Sequence, residues 1–204
     1  MQLNVAAFYS EYTNYQEAGF VALQFLVTNA EAATTQGLEL DLTAQLTDSL
    51  VAEWNATYVE TRYDRFTGGL CYPGRAPTNV ATGACDLSGE ELPNAPKLKL
   101  HAALAYDRPT SFGSIYARAD YSWSDDYFTN VNHDPRQVQD AFGVIDARFG
   151  LRAGAWDLSV WGENLTDETY IDQSAVSNLF GLDPAYQTFI APGMSYGVTA
   201  RYRL

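Results

Sequence analysis

The sequence predicts an all-β fold: an antiparallel transmembrane β-barrel segment of about eight strands, with long outer loops and short periplasmic turns. Three observations carry this. Apolar and polar residues alternate in segments of about 11 residues, the length a tilted strand needs to cross a bilayer. The connections between the segments alternate between long and short. Finally, the apolar faces have no amphipathic helix to cover them, so lipid is the environment that fits.

The elements justify this in order. Residues 3–14 place Leu3, Val5, Ala7 and Tyr9 on one face, and a polar connection follows. Residues 36–47 set Leu38, Leu40, Leu42, Ala44 and Leu46 against Glu39, Asp41, Thr43 and Gln45. After a short Asp-Ser turn, the strand from Leu50 to Tyr63 sets Trp54, Ala56 and Tyr58 against Glu53, Asn55 and Thr57. A long loop leads to residues 97–107, where Leu98, Leu100, Ala102, Leu104 and Tyr106 oppose Lys97, Lys99 and His101. A short Arg-Pro-Thr-Ser connection follows, then residues 113–124, with Ile115, Ala117, Ala119, Tyr121 and Trp123 against Tyr116, Arg118 and Asp120. A medium loop separates these from residues 141–152, where Ile145, Ala147, Phe149 and Leu151 oppose Asp146, Arg148 and Arg152. Ala153-Gly154 turns into residues 155–165, with Trp156, Leu158 and Val160 against Asp157, Ser159 and Glu163. Another long loop precedes residues 193–204, in which Met194, Tyr196, Val198, Ala200 and Tyr202 alternate with Thr199, Arg201 and Arg203.

Composition agrees. Hydrophobic residues make up 47% of the 204, so the chain carries enough apolar surface to order itself. The 14 Tyr, 10 Phe and 4 Trp supply material for aromatic girdles at the two bilayer interfaces. A net charge of -13 argues against nucleic acid as a partner. The first residues, MQLNVAAFYSEY, have no basic n-region and no uninterrupted apolar core, so they do not read as a signal peptide. Cys71 and Cys85 close one loop rich in Gly, Pro, Ala and Thr. They read as a disulfide of an oxidising compartment, with two free thiols as the alternative.

The polar faces define the candidate lumen residues: Glu39, Asp41, Glu53, Lys97, Lys99, His101, Arg118, Asp120, Asp146, Arg148, Asp157, Glu163, Arg201 and Arg203. They carry both signs and can pair across neighbouring strands. Tyr127, Phe128, Tyr170, Phe180 and Tyr186, in the outer loops, are candidate ligand contacts or outer girdle residues. Asp125, Asp126, His133 and Asp134 cluster in one loop without metal-ligand spacing, and no catalytic, metal or cofactor role is assigned to them. The three outer loops are richer in acids than in bases, which suits solvated loops and also an acidic rim.

Several stretches resemble one family. GLELDLTAQLTDSL, LPNAPK (92–97), GENLTDETY (162–170) and a terminal strand containing Tyr-Arg occur in the order and spacing of the C-terminal barrel of TonB-dependent outer-membrane receptors. That resemblance covers nearly the whole chain. It implies the last eight strands of a 22-stranded barrel in the bacterial outer membrane, importing an iron-siderophore complex or a similarly scarce nutrient, with no enzymatic step. The plug domain, the earlier strands and the TonB-contacting segment (the TonB box) would lie upstream of Met1. The partners implied are outer-membrane lipid, a small-molecule nutrient and, through that upstream region, the TonB complex. Where the family usually ends in an aromatic residue, this chain ends in Leu204. Two rival expectations stand beside this one. A self-contained eight-stranded barrel would need its first and last strands to pair. An outer-membrane hydrolase would use the Asp/His loop.

Overall fold

The computed structural model describes residues 1–21, 24–177 and 185–203. Eight long strands form one antiparallel sheet in the order β1 (Gln2–Val21), β2 (Gln24–Thr47), β3 (Leu50–Arg65), β4 (Leu98–Thr110), β5 (Gly113–Ser124), β8 (Phe142–Ala153), β9 (Trp156–Glu163) and β12 (Ser195–Tyr202). Each is hydrogen-bonded to its neighbour in sequence among the eight, a simple up-and-down meander. Two small hairpins decorate the outer loops: β6 (Tyr127–Phe128) with β7 (Val138–Gln139), and β10 (Ile171–Ser177) with β11 (Ala185–Ile190).

The register gathers the alternating residues into two continuous faces. One row runs Val5–Leu40–Ala56–Leu100–Trp123 across five strands. The next runs Leu3–Leu42–Trp54–Ala102–Tyr121–Ile145. Leu3, Val5, Leu38, Leu40, Leu100, Leu104, Phe149, Val160 and Val198 all stand exposed on this face. An apolar face this wide and this bare is what a barrel shows to lipid. Its vertical extent fits as well. From Leu50 to Tyr58 the strand climbs about 26 Å, or about 20 Å normal to a bilayer once tilted. Tyr106, Trp156 and Tyr202 mark one end of the band, with the rings of Trp156 and Tyr202 5.0 Å apart; Tyr9, Tyr58 and Trp123 mark the other.

The polar face has three places where a ring lies over a glycine on the next strand. Phe8 covers Gly37, Tyr116 covers Gly150, and Trp161 covers Gly197, each directly opposite in the ladder. A Cβ at Gly197 would come within 2.6 Å of Trp161, so the space is already filled by the ring. Trp161 also donates its indole N–H to Thr199 Oγ1 at 3.1 Å.

A wall with lipid on one side and a lumen on the other leaves little room for a conventional core within the strands. Among the described residues, the cluster of buried apolar side chains instead sits under the outer loops, where Tyr63, Phe66, Leu87, Leu92, Cys85 and Val131 pack with Ala30 and Ala33. Tyr63 and Phe66 have ring centroids 4.9 Å apart.

The structure corrects the sequence expectations in three places and, in a fourth, goes against the rival closed barrel. Residues 15–35, expected as a polar connection, continue β1 and β2 as a paired ladder as far as Val21 and Gln24. Here Ala30 and Ala33 pack under the outer loops instead of facing lipid, so the regular stripe that identifies a strand in sequence is lost while the backbone pairing persists. Arg108–Thr110 belong to β4 and pair with 113–115, leaving a turn of two residues, Ser111 and Phe112. The long loops carry hairpins of their own. Finally, β1 and β12 are the two edges of the sheet and do not pair with each other among the described residues, so the eight strands do not close a barrel. The other short turns stand where expected, at Asp48-Ser49 and Ala153–Trp156.

Candidate lumen wall and outer-loop site

Alternation places the charged residues on one face; strand register decides which of them meet. Arg118 on β5 donates to Glu53 on β3 at 2.8 Å and lies 2.8 Å from Asp120. It reaches over the intervening β4 because the residues there are Ala103 and Ala105, too short to block it. His101 Nε2 lies 3.3 Å from Asp120. The Asn55 amide, turned to satisfy its neighbours, donates to Asp41 at 3.0 Å. Asp41, Asn55, His101, Asp120, Arg118 and Glu53 thus form one polar network over four strands.

A second cluster lies nearer the short turns. Tyr116 donates to Asp157 at 2.7 Å, Arg152 stacks 4.1 Å above the Tyr116 ring, and Arg152 pairs with Asp107 at 2.6 Å. Toward the outer end of the wall, Asp146 accepts from the Asn164 backbone N–H at 2.7 Å. Arg148 stands opposite Arg118 in the ladder, and Arg201 opposite Asp157. Glu163 pairs with Ser195 at the top of β12. Glu39 and Lys99 both lie opposite Thr57 from the two sides. Arg203 follows β12 and bonds through its amide to Ala155. Lys97 departs from the set: it precedes β4 and pairs with Glu91 at 2.5 Å beside Glu60.

The outer loops are tied by charge and by ring stacking. Asp134 has a fully buried side chain. Burial works against its charge, but hydrogen bonds from Arg136 and Tyr186 outweigh this and hold its pKa below the usual carboxylate range. Arg136 donates to Asp134 at 2.9 Å, to the Pro73 carbonyl at 2.7 Å, and lies 4.7 Å over the Tyr186 ring. Tyr186 donates to Asp134 at 2.6 Å, which together with burial pushes its pKa up to about 12. One buried carboxylate therefore joins the loops carrying Pro73, Arg136 and Tyr186. The structure links Cys71 to Cys85 in a disulfide at the base of the first of these. In the chain-entropy picture, such a closed loop contributes about 3 kcal/mol.

Phe128 stacks on His133 at 4.5 Å, and Tyr170 stacks on Phe142 at 4.3 Å. Tyr127 pairs with Gln139 in the small β6–β7 hairpin. Phe180 lies outside the described residues. His133 and Asp134 are adjacent but serve different partners, His133 facing Glu90 at 3.3 Å; Asp125 and Asp126 lie apart, at the end of β5.

Sequence reasoning missed three residues. Asn164, with φ of 49°, donates its amide to the Glu168 and Pro192 carbonyls and accepts from Glu168 N–H, so it pins the turn of GENLTDETY. Asn94, in LPNAPK, has φ of 56° and donates its backbone N–H to Phe128 O at 2.8 Å. Asn is enriched at positive φ, which was the available signal. Gln137 is buried with its amide on Ser174, and nothing local marks it.

His133 makes a prediction. Burial lowers its pKa, with Glu90 and Glu91 pulling it up and Arg75 pushing it down. The unfolded chain protonates this group near 6.5, so the neutral form stabilises the loop contact fully above that pH, and the contribution is lost as pH falls toward the folded value. Hydrogen-exchange protection of residues 129–137 should therefore fall as the pH drops below about 6.5. His133→Phe should remove that dependence while keeping the stack on Phe128.

The family model for the TonB-dependent receptor-like β-barrel matches residues 1–165. The chain belongs to this family. TonB-dependent receptor barrels reside in the outer membrane of Gram-negative bacteria, and so does this one. Among solved structures, the ferric yersiniabactin uptake receptor FyuA from Yersinia pestis aligns over 98% of this chain, with a TM-score of 0.73 and 17% identity. The siderophore receptor PiuA from Acinetobacter baumannii aligns over 97%, at 0.68 and 20%. The copper transporter OprC aligns over 98%, at 0.66 and 17%. The chain spans 27%, 25% and 28% of those proteins. At such identity the likeness shows the fold alone, that of a portion of a receptor barrel wall.

Proposed function

We propose that this chain forms the last eight strands of a 22-stranded receptor barrel, whose plug and earlier strands lie upstream, and that the whole imports an iron-siderophore complex or a similarly scarce nutrient. The observation that carries the reading is the polar network from Asp41 to Asp120, with its Glu53–Arg118–Asp120 ion pairs, set on the face opposite a bare apolar one. A charged wall backed by lipid suits a wet or plugged lumen. The lumen residues would line the passage and hold whatever fills it; the outer-loop rings Tyr127, Phe128, Tyr170 and Tyr186 would sit near the entrance. TonB coupling would act through the upstream region.

The test is uptake. Deleting the gene in its host should abolish energy-dependent accumulation of at least one member of a panel of labelled ferric siderophores and copper ions. Supplying it again should restore accumulation, and deleting TonB should remove it again. Unchanged accumulation across the panel, with and without the gene, would sink the transport reading for these nutrients.

A further inference from the structure

The loop between β5 and β8, residues 125–141, joins the other two outer loops. Toward the loop after β9, Tyr186 donates to Asp134, Gln137 donates to Ser174 at 3.1 Å, and the Ile171 N–H donates to Gln139. Toward the loop after β3, residues 66–97, the ties fall in two places. Asn94 and Glu90 meet Phe128 and His133 well after the disulfide in sequence. The other tie lies inside the segment that the disulfide closes: Arg136 Nη2 donates to the Pro73 carbonyl at 2.7 Å. Among the described residues, it is the one hydrogen bond that leaves residues 72–84 for another loop.

The two ends of that segment are held differently. Cys85 is fully buried in the apolar cluster, and its backbone exchanges two hydrogen bonds with Gly69, at 2.9 and 3.0 Å. The next residue, Asp86, donates its N–H to Thr78 at 3.1 Å. Cys71 is only partly buried, and Pro73 stands two residues beyond it. The backbone bond nearest Pro73 is the local turn from Arg75 N–H to Tyr72 O. Arg75 adds one bond from its long side chain to the Asp86 carbonyl, at 3.2 Å. The disulfide is therefore the rigid anchor that keeps the Pro73 carbonyl in front of Arg136.

We propose that the Cys71–Cys85 disulfide is a redox-sensitive tether that sets the position of Arg136. A thiolate of an external dithiol attacks the Cys71 sulfur, the more accessible of the two. Cys85 leaves as a thiolate and takes up a proton. The second thiolate of the reductant then attacks its own sulfur in the mixed disulfide, and Cys71 leaves in the same way. Two electrons and two protons pass to the protein, and the dithiol ends as a disulfide. Pro73 is then free to leave. Arg136 keeps Asp134 and the Tyr186 ring but loses its hold on the loop after β3, and the buried carboxylate that joins the other two loops loosens with it. This rests on the loop contacts and not on the transport reading.

The test is hydrogen exchange of the 204-residue chain folded in detergent micelles, with and without dithiothreitol, with reduction confirmed by the mass of the alkylated cysteines. Reduction should speed exchange across residues 72–84. It should also speed it about tenfold at Arg136 and Gln137, as the loss of one charge-assisted hydrogen bond implies. Those two amides donate to the Asp134 carboxylate at 3.0 Å and to its carbonyl at 2.8 Å. Amides in β4 and β5 should keep their protection. Arg136→Ala separates a tether from a local brace: reduction should still free residues 72–84 but add nothing at Gln137. Cys71→Ser with Cys85→Ser should exchange like the reduced chain and ignore dithiothreitol; should it fail to fold, reduction of the folded parent carries the test. Three results overturn the proposal: a disulfide that stays intact in dithiothreitol while the chain is folded, reduction that leaves Arg136 and Gln137 unchanged or opens β4 and β5 as well, and an equal response at Gln137 in Arg136→Ala.

Discussion

Replacing Leu40 with arginine should cost about 2–4 kcal/mol of folding stability in a bilayer. Leu40 lies midway up the apolar band between Val5 and Ala56, with its side chain partly bare. A guanidinium there has no water and no counter-charge. Thr43→Arg on the opposite face is the control. Thr43 sits across from Glu53, so the new cation gains a partner in a wet environment, and its effect should stay within about 1 kcal/mol. Urea titration of both variants refolded into lipid vesicles gives the comparison. Equal costs would undo the assignment of the two faces.

The second large effect belongs to the outer loops. Tyr63→Ala should destabilise them by about 3–5 kcal/mol, since Tyr63 is fully buried against Phe66 and lies in the cluster with Leu87, Leu92 and Val131. Tyr63→Phe keeps the packing and loses only the hydroxyl that Tyr63 donates to Glu17, so it should cost about 1 kcal/mol. The damage should be local. Hydrogen exchange should speed up at Leu87, whose amide bonds Phe66, and at Gly89 and Glu90, which bond to Tyr63 and Leu87, while amides in β4, β5 and β8 keep their protection. Loss of protection in those strands as well would mean that the loops and the wall unfold as one unit.

These two predictions mark where the sequence could be read and where it could not. Leu40 and Thr43 reveal their faces by parity alone, because within the membrane one side of every strand meets lipid and the other does not. That contrast wrote the pattern for all eight strands. It is absent farther out along β1 and β2, so Thr34, with the rest of residues 15–35, looked like connection rather than ladder. Parity also gathered Glu53, Arg118 and Asp120 on one face. It could not show that Arg118 spans β4, which depends on two small residues on a strand between them. The loop contacts are harder still. Asp134 is buried by Tyr186, 52 positions away, and by an arginine that reaches back to Pro73; short-range spacing carries no trace of such a meeting.

The three rings lying over glycines have a further consequence. Alternation protects a strand against slipping by one residue, since that would turn every apolar side chain inward. It is blind to a slip of two, which leaves both faces correct. The notch at Gly37 is not blind to it. Two positions away on β2 stand Thr35 and Glu39, so a slipped Phe8 would meet a side chain where it now meets none. Gly150 and Gly197 are flanked at that distance by Arg148 and Arg152, and by Ser195 and Thr199. Each ring and its glycine work as key and notch, proofreading strand alignment where hydrophobicity cannot.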